Sequence, residues 1–134
     1  MKTSLFDIAA SCLIANEIEE KLLLTQQATQ AWRNKLLSLD SHEPTRLINQ
    51  PGQPAKLVLV KPSDVPRRRL GNKVGLIALI HAIAHIEFNA INLAWDAIHR
   101  FRGLPDSFYD DWVTVASEEA YHFQLLHKRL KELD

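Results

Sequence analysis

The chain has 134 residues, and its 16 Lys+Arg balance its 16 Asp+Glu, leaving no formal net charge. That balance excludes a broadly basic nucleic-acid binder and a charged disordered tail, since each needs an excess of one sign. With 46% apolar and 24% charged residues, the composition is that of one ordinary globular domain.

From Ser4 to Leu39 there is neither Gly nor Pro, and Leu, Ala, Glu, Lys and Gln dominate. These residues lose little on entering a helix. Asn16 followed by Glu19 reads as a capping box, so a short helix is expected before it and a longer one to about Leu39. The expected core positions are Leu5, Ile8, Cys12, Leu22, Leu23, Ala28, Trp32 and Leu36. Cys12 has no basic neighbour in sequence and reads as a small buried hydrophobe rather than a nucleophile. As the single cysteine it cannot form an internal disulfide, and no secretion signal pattern opens the chain. A cytoplasmic location is the expectation.

From Asp40 to Gly71 the helical pattern stops, and five of the six prolines fall here. The apolar run Ala55–Val60 has no second strand to pair with, so this stretch is expected to be an extended arm packed on helices. A connection of about thirty residues points to a wrapping or functional loop. Arg67, Arg68 and Arg69 read as a solvated turn or as partners for carboxylates in preference to a phosphate contact.

Two long helices are expected next. Asn72 caps the first, which runs to about Arg102 and stops at Gly103. Pro105 starts the second, which continues to about Leu133, and the short link makes the two antiparallel neighbours. The longest nearly uncharged run, Val74 to Ile86, is too short to span a bilayer, so no membrane partner is expected. The fold class is all-α.

At about 100° per residue, the apolar stripe of the first long helix reads Ile77, Ile80, Ala84, Glu87, Ile91, Ala94, Ile98. That of the second reads Phe108, Trp112, Val115, Glu119, His122, Leu126, Leu133. Each is interrupted near its middle by ionisable groups. Glu87 lies sixteen residues before Gly103 and Glu119 sixteen after it (103 − 87 and 119 − 103), so at about 1.5 Å per residue both stand at one height. Glu87, Glu119 and His122 are therefore expected to converge in a dry seam, where an unpartnered carboxylate costs several kcal/mol and a divalent cation compensates it. Carboxylate with imidazole suits iron or manganese. The competing readings are a buried Glu–His pair and Glu87 bound by one of Arg67–Arg69. Glu118 is the rival in register. His81, His85, Phe88, Asn92, Trp95 and His99 share another side, which is expected to contact the N-terminal helices. Trp32, Trp95 and Trp112 read as core anchors, and Asp110 or Asp111 as a possible partner behind the metal ligands.

The segment Pro62–Leu130 resembles a bacterial family of ferritin-like proteins whose function is not established. The resemblance is carried by SDVPRRRLG at Ser63–Gly71, HAIAHIEFNAI at His81–Ile91, and GLPDSFYDDW…EEAYHF at Gly103–Phe123. LLLTQQATQAWR at Leu22–Arg33 is similar too. The resemblance implies a ferritin-like helical bundle with a carboxylate-bridged di-iron or Fe/Mn centre, of which Glu87, Glu119 and His122 match half. Relatives continue into two further helices with another Glu and a second Glu-x-x-His. This chain is therefore expected to be a partial bundle, either truncated or completed by an isologous homodimer. Two functions follow as expectations: an oxidoreductase, hydroxylase- or oxidase-like, that activates oxygen or peroxide for an unknown small-molecule substrate; or a non-catalytic helical interaction module or fragment with an incomplete metal site.

Overall fold

The computed structural model describes residues 2–41, 44–52 and 72–133. Within them run β1 (Thr3–Ser4), α1 (Leu5–Ile14), α2 (Ile18–Arg33), β2 (Leu37–Ser38), α3 (Lys73–Arg100) and α4 (Asp106–Leu133). The chain is predominantly helical, as expected. The arm's apolar run Ala55–Val60 and the Arg67–Arg69 cluster lie outside the described residues.

Local chemistry sets the helix ends. Ser4 caps α1, its hydroxyl accepting from the Phe6 N–H at 3.1 Å. Asn72 caps α3 through the Gly75 N–H at 2.7 Å. Gly103, at φ +74°, makes the left-handed turn between α3 and α4 without the penalty a side chain would bring. The capping box expected at Asn16 is displaced: Glu17 holds the N-cap position of α2 and makes no side-chain cap bond. Nor does α2 reach Leu39. It ends at Arg33, Lys35 takes a left-handed φ of 59°, and the chain turns back so that β2 pairs in parallel with β1.

The α3–α4 hairpin is the body of the fold, with α1 laid on α3, α2 on α4, and α1 against α2. Leu5, Phe6, Cys12, Ile91, Trp95, Ile98, Tyr109 and Val113 are among the residues that fill the space between these elements. Two expected core positions are corrected: Leu23 is exposed because α2 turns Lys21, Thr25, Ala28 and Thr29 inward instead, and Leu36 is exposed in the turn that follows the end of α2. Trp95 is fully buried and donates to Thr25 Oγ1 at 3.0 Å, whereas Trp32 and Trp112 are half-buried.

The α4 stripe is rotated by about one residue from the expectation. Tyr109, Val113, Ala116, Ala120, Phe123 and Leu130 are its buried positions. The stripe of Phe108, Trp112, Val115 and Leu126 is half-buried and lies on the far side of the hairpin from α2. α3 shows the same two-sidedness. Ile80, Ala84, Phe88, Ile91, Trp95 and Ile98 are covered, while Leu79, Ile86 and Leu93 stand exposed on a second face. Two apolar faces on one 28-residue helix explain why α3 is long and apolar enough to cross a membrane by length and composition, although it packs here on α1 and α4. The shorter run expected from the sequence understated this.

Candidate metal centre

Two sets of polar groups interrupt the apolar surfaces of the hairpin, one on each face. On the inner face, Lys21 is fully buried. Its ammonium donates to the Cys12 and Leu13 carbonyls at 2.9 and 2.8 Å and to Asn92 Oδ1 at 2.5 Å, and it lies 5.4 Å from the centroid of the Phe88 ring. Three donors meet three acceptors, and two of those acceptors are orphan carbonyls at the C-terminal end of α1. Burial nevertheless lowers the Lys21 pKa to about 8 and raises that of Cys12 to about 12.

His99 is saturated as well. Its Nδ1 lies 2.9 Å from the Phe6 carbonyl and its Nε2 accepts the Arg46 N–H at 3.2 Å, which fixes the neutral tautomer with the proton on Nδ1. Gly52 closes this side. Its N–H donates to Leu13 O at 2.8 Å, and a Cβ there would collide with the Ile14 and Ala15 carbonyls, so no other residue fits. The expected contact of Phe88, Asn92, Trp95 and His99 with the N-terminal layer is observed. His81 is exposed, and His85 Nδ1 is buried without a hydrogen-bond partner among the described residues. Burial is the main cause lowering the His85 pKa, with His81 adding to it.

On the other face, Glu87, Glu119 and His122 come together as expected, each offering one ligand atom, all within 4.8 Å of one another. His122 Nδ1 lies 3.7 Å from Glu119 Oε2 and 3.9 Å from Glu87 Oε2. Neither distance is a hydrogen bond. Two donors each about 2.1 Å from one ion lie at most about 4.2 Å apart. The two His–Glu separations fit that limit, and all three ligand atoms lie within 4.8 Å of one another. The trio is a group that could hold one cation. Ligands for a second ion are not found among the described residues, so the paired-ion centre implied by the resemblance is at most half represented.

The expectation of a dry seam is corrected. The Glu87 and Glu119 side chains are 20% and 25% exposed, but that of His122 is 50% exposed. The cause is the rotation of α4, which puts Phe123 into the core and leaves His122 at the rim. Just inside the trio, the buried Phe88 and Phe123 rings meet edge-to-face with centroids 5.3 Å apart, an apolar floor contributed by the residues after Glu87 and His122. Glu118 is exposed and outside the group. Asp110 does not stand behind the ligands; it accepts the Trp32 indole N–H at 2.8 Å and ties α2 to α4.

The residues that sequence reasoning missed are Lys21 and the exposed stripe of Leu79, Ile86 and Leu93. Lys21 was visible as a charge in register with Thr25, Ala28 and Trp32. The stripe was visible as a seven-residue repeat, hidden by the equally regular stripe one face away.

The chain belongs to the family described as Protein of unknown function (DUF455), whose model matches residues 14–134 and so takes in all three candidate ligands. It is similar to an "Uncharacterized protein" of Haemophilus influenzae, 48% identical over 89 residues. That match covers 60% of this chain and 30% of the relative, so the similarity spans less than a third of that protein. No solved structure matches.

Proposed function

We propose that this member of the family is a ferritin-like metal–carboxylate protein, holding a divalent iron or manganese ion between Glu87, Glu119 and His122 and serving an oxidoreductase reaction with oxygen or peroxide. The observation that carries the reading is the convergence of two carboxylates and an imidazole, from the middle of two facing helices, at distances that suit one ion and not a hydrogen bond. The bound metal would supply the redox chemistry. The chain's own residues would do the rest. Glu87 and Glu119 bring two negative charges that offset the charge of a divalent ion. Glu119 and His122, three residues apart on α4, present their donors on one side of the helix. His122 would ligate through Nδ1, the nitrogen nearer both carboxylates, which requires its proton on Nε2. The buried Phe88–Phe123 pair would keep water from the side of the core, while the His122 imidazole is half exposed at the rim.

A second reading is a non-catalytic helical interaction module, favoured by the exposure of Ile86 (63%) and Leu93 (58%) beside the trio. Equilibrium dialysis against Mn(II), and against Fe(II) under anaerobic conditions, separates the two. The metal reading expects about one ion per chain and an affinity reduced at least a hundredfold in both Glu87→Gln and His122→Ala, with helicity unchanged. Equal, weak uptake by the parent and both variants overturns it and favours the module. If metal binds, oxygen consumption by the Fe(II)-loaded protein, lost in the same variants, tests the oxidoreductase step.

A further inference from the structure

We infer that the open face of the α3–α4 hairpin is the contact surface for a second copy of this chain, and that two copies bring their Glu87–Glu119–His122 clusters together around shared divalent cations. The cation part rests on the metal reading above; the contact surface rests on separate observations.

The first is periodicity. Leu79, Ile83, Ile86, Ala90, Leu93 and Ala97 follow one another at steps of four and three, the spacing of a helix seam that faces another helix. Among the described residues no element covers this seam, and Ile86 and Leu93 are more than half exposed. The half-buried α4 stripe through Trp112, Val115, Glu119 and His122 has the same spacing and borders it.

The second is the position of the trio. Glu87 has fourteen residues of α3 before it (73–86) and thirteen after it (88–100). Glu119 has thirteen residues of α4 before it (106–118) and fourteen after it (120–133). A twofold axis lying in the plane of the contact, perpendicular to the helices at the height of the cluster, therefore lays one hairpin over the other along its full length. An off-centre cluster would leave one end of each hairpin bare. An isologous contact demands a patch complementary to itself, and apolar stripes flanking a central polar group satisfy that demand.

The third is size and charge. Two helices of 28 residues, each about 42 Å long and about 10 Å across, present ~800 Å². That is about what one partner contributes to a stable interface. Two copies contribute four carboxylates and two imidazoles, and the four negative charges balance two divalent cations. Without cations the same carboxylates repel one another across an apolar surface, so association depends on the metal.

Sedimentation velocity of the full chain in Mn(II) and in EDTA, with dialysis under the same conditions, tests the inference on the parent, Glu87→Gln and Ile86→Glu. The parent is expected to be a dimer with one ion per chain in Mn(II) and to associate at least tenfold more weakly in EDTA. Glu87→Gln stays monomeric in both. Ile86→Glu, at a position outside the core and checked for helicity, is monomeric in Mn(II) and binds the ion at least tenfold more weakly. A parent that binds Mn(II) at full affinity as a monomer overturns the dimer and leaves the metal reading standing. A dimer that persists in EDTA and in Ile86→Glu also overturns it, because the contact then lies elsewhere. A parent that takes up no Mn(II) overturns both.

Discussion

The inner and open faces of the α3–α4 hairpin carry the same kinds of residue and treat them in opposite ways. On the inner face Lys21 is satisfied by two carbonyls and Asn92, Trp95 by Thr25, and His99 by Phe6 and Arg46, while the buried His85 Nδ1 has no hydrogen-bond partner among the described residues. On the open face Glu87, Glu119 and His122 surround a common point without hydrogen-bonding one another. A buried polar group with its own partners is structural, because removing a partner strands the rest. Polar groups gathered on an apolar surface without bonding one another are what the proposed metal reading accounts for. The contrast lies in how polar groups are satisfied, since both faces are apolar and both are interrupted.

The most severe way to break this contrast is Lys21→Ala. It removes the group that joins α1, α2 and α3, leaving the Cys12 carbonyl and Asn92 Oδ1 without their donor, the Leu13 carbonyl with the Gly52 N–H alone, and a cavity over Phe88. A loss of about 3–5 kcal/mol is expected by urea denaturation, with Mn(II) uptake by the remaining folded protein unchanged. A variant that kept its stability and lost metal would reverse the roles of the two faces.

A paired truncation sharpens the comparison. Ile91 is fully buried, and Leu93, two residues along the same helix, is 58% exposed. Ile91→Ala should cost about 2–5 kcal/mol through lost burial and a cavity. Leu93→Ala, in dilute metal-free protein, should cost less than about 1 kcal/mol. Similar losses at both positions would mean that the open face is covered even without metal.

Much of this was legible in the sequence, for reasons that can be stated residue by residue. The hairpin follows from Asn72, Gly103 and Pro105 as punctuation, and the level match of Glu87 and Glu119 from equal counts either side of Gly103. The rotation of α4 was not legible, because Phe108–Trp112–Val115 and Tyr109–Val113–Ala116 are equally good apolar stripes. Only packing against α2 and α3 chooses between them, and that choice decides whether His122 is dry or half wet. The end of α2 was missed for a related reason. Leu36 to Leu39 has the propensity to continue the helix, but pairing of β2 with β1 overrides it.

The inner face also has a signature in pH. The Lys21 pKa is lowered to about 8 in the folded chain, so between about pH 8 and its ordinary value of 10.5 the unfolded chain holds more protons. Stability therefore rises with pH from about 8, by at most about 1.4 kcal/mol per pH unit. Cys12 acts in the other direction. Its folded pKa is raised from 9.0 to about 12, so the stability it contributes is complete below 9 and is lost as pH climbs through 12. The expected profile climbs from pH 8 to 9 and then flattens. Lys21→Met should remove the climb and Cys12→Ala the flattening, as read from urea midpoints at half-unit steps. A parent profile without any rise across that first unit would mean that the Lys21 ammonium is not destabilised by its burial.

The smallest expected effect sets the register of the open face. Glu118 and His122 are four residues apart and Glu119 and His122 three, so either pair could share a helix side. α4 sends Ala120 and Phe123 inward toward α2 and α3, which turns Glu119 toward Glu87 and leaves Glu118 in solvent. Glu118→Gln should therefore change Mn(II) affinity by less than about twofold, through long-range charge alone, which salt at physiological strength largely screens. Glu119→Gln in the same dialysis should behave like Glu87→Gln. If Glu118→Gln were the damaging substitution, α4 would have to be rotated by about 100° at this level, carrying Phe123 out of its edge contact with Phe88. A one-residue comparison on the surface thus reports on the packing of the aromatic floor beneath it.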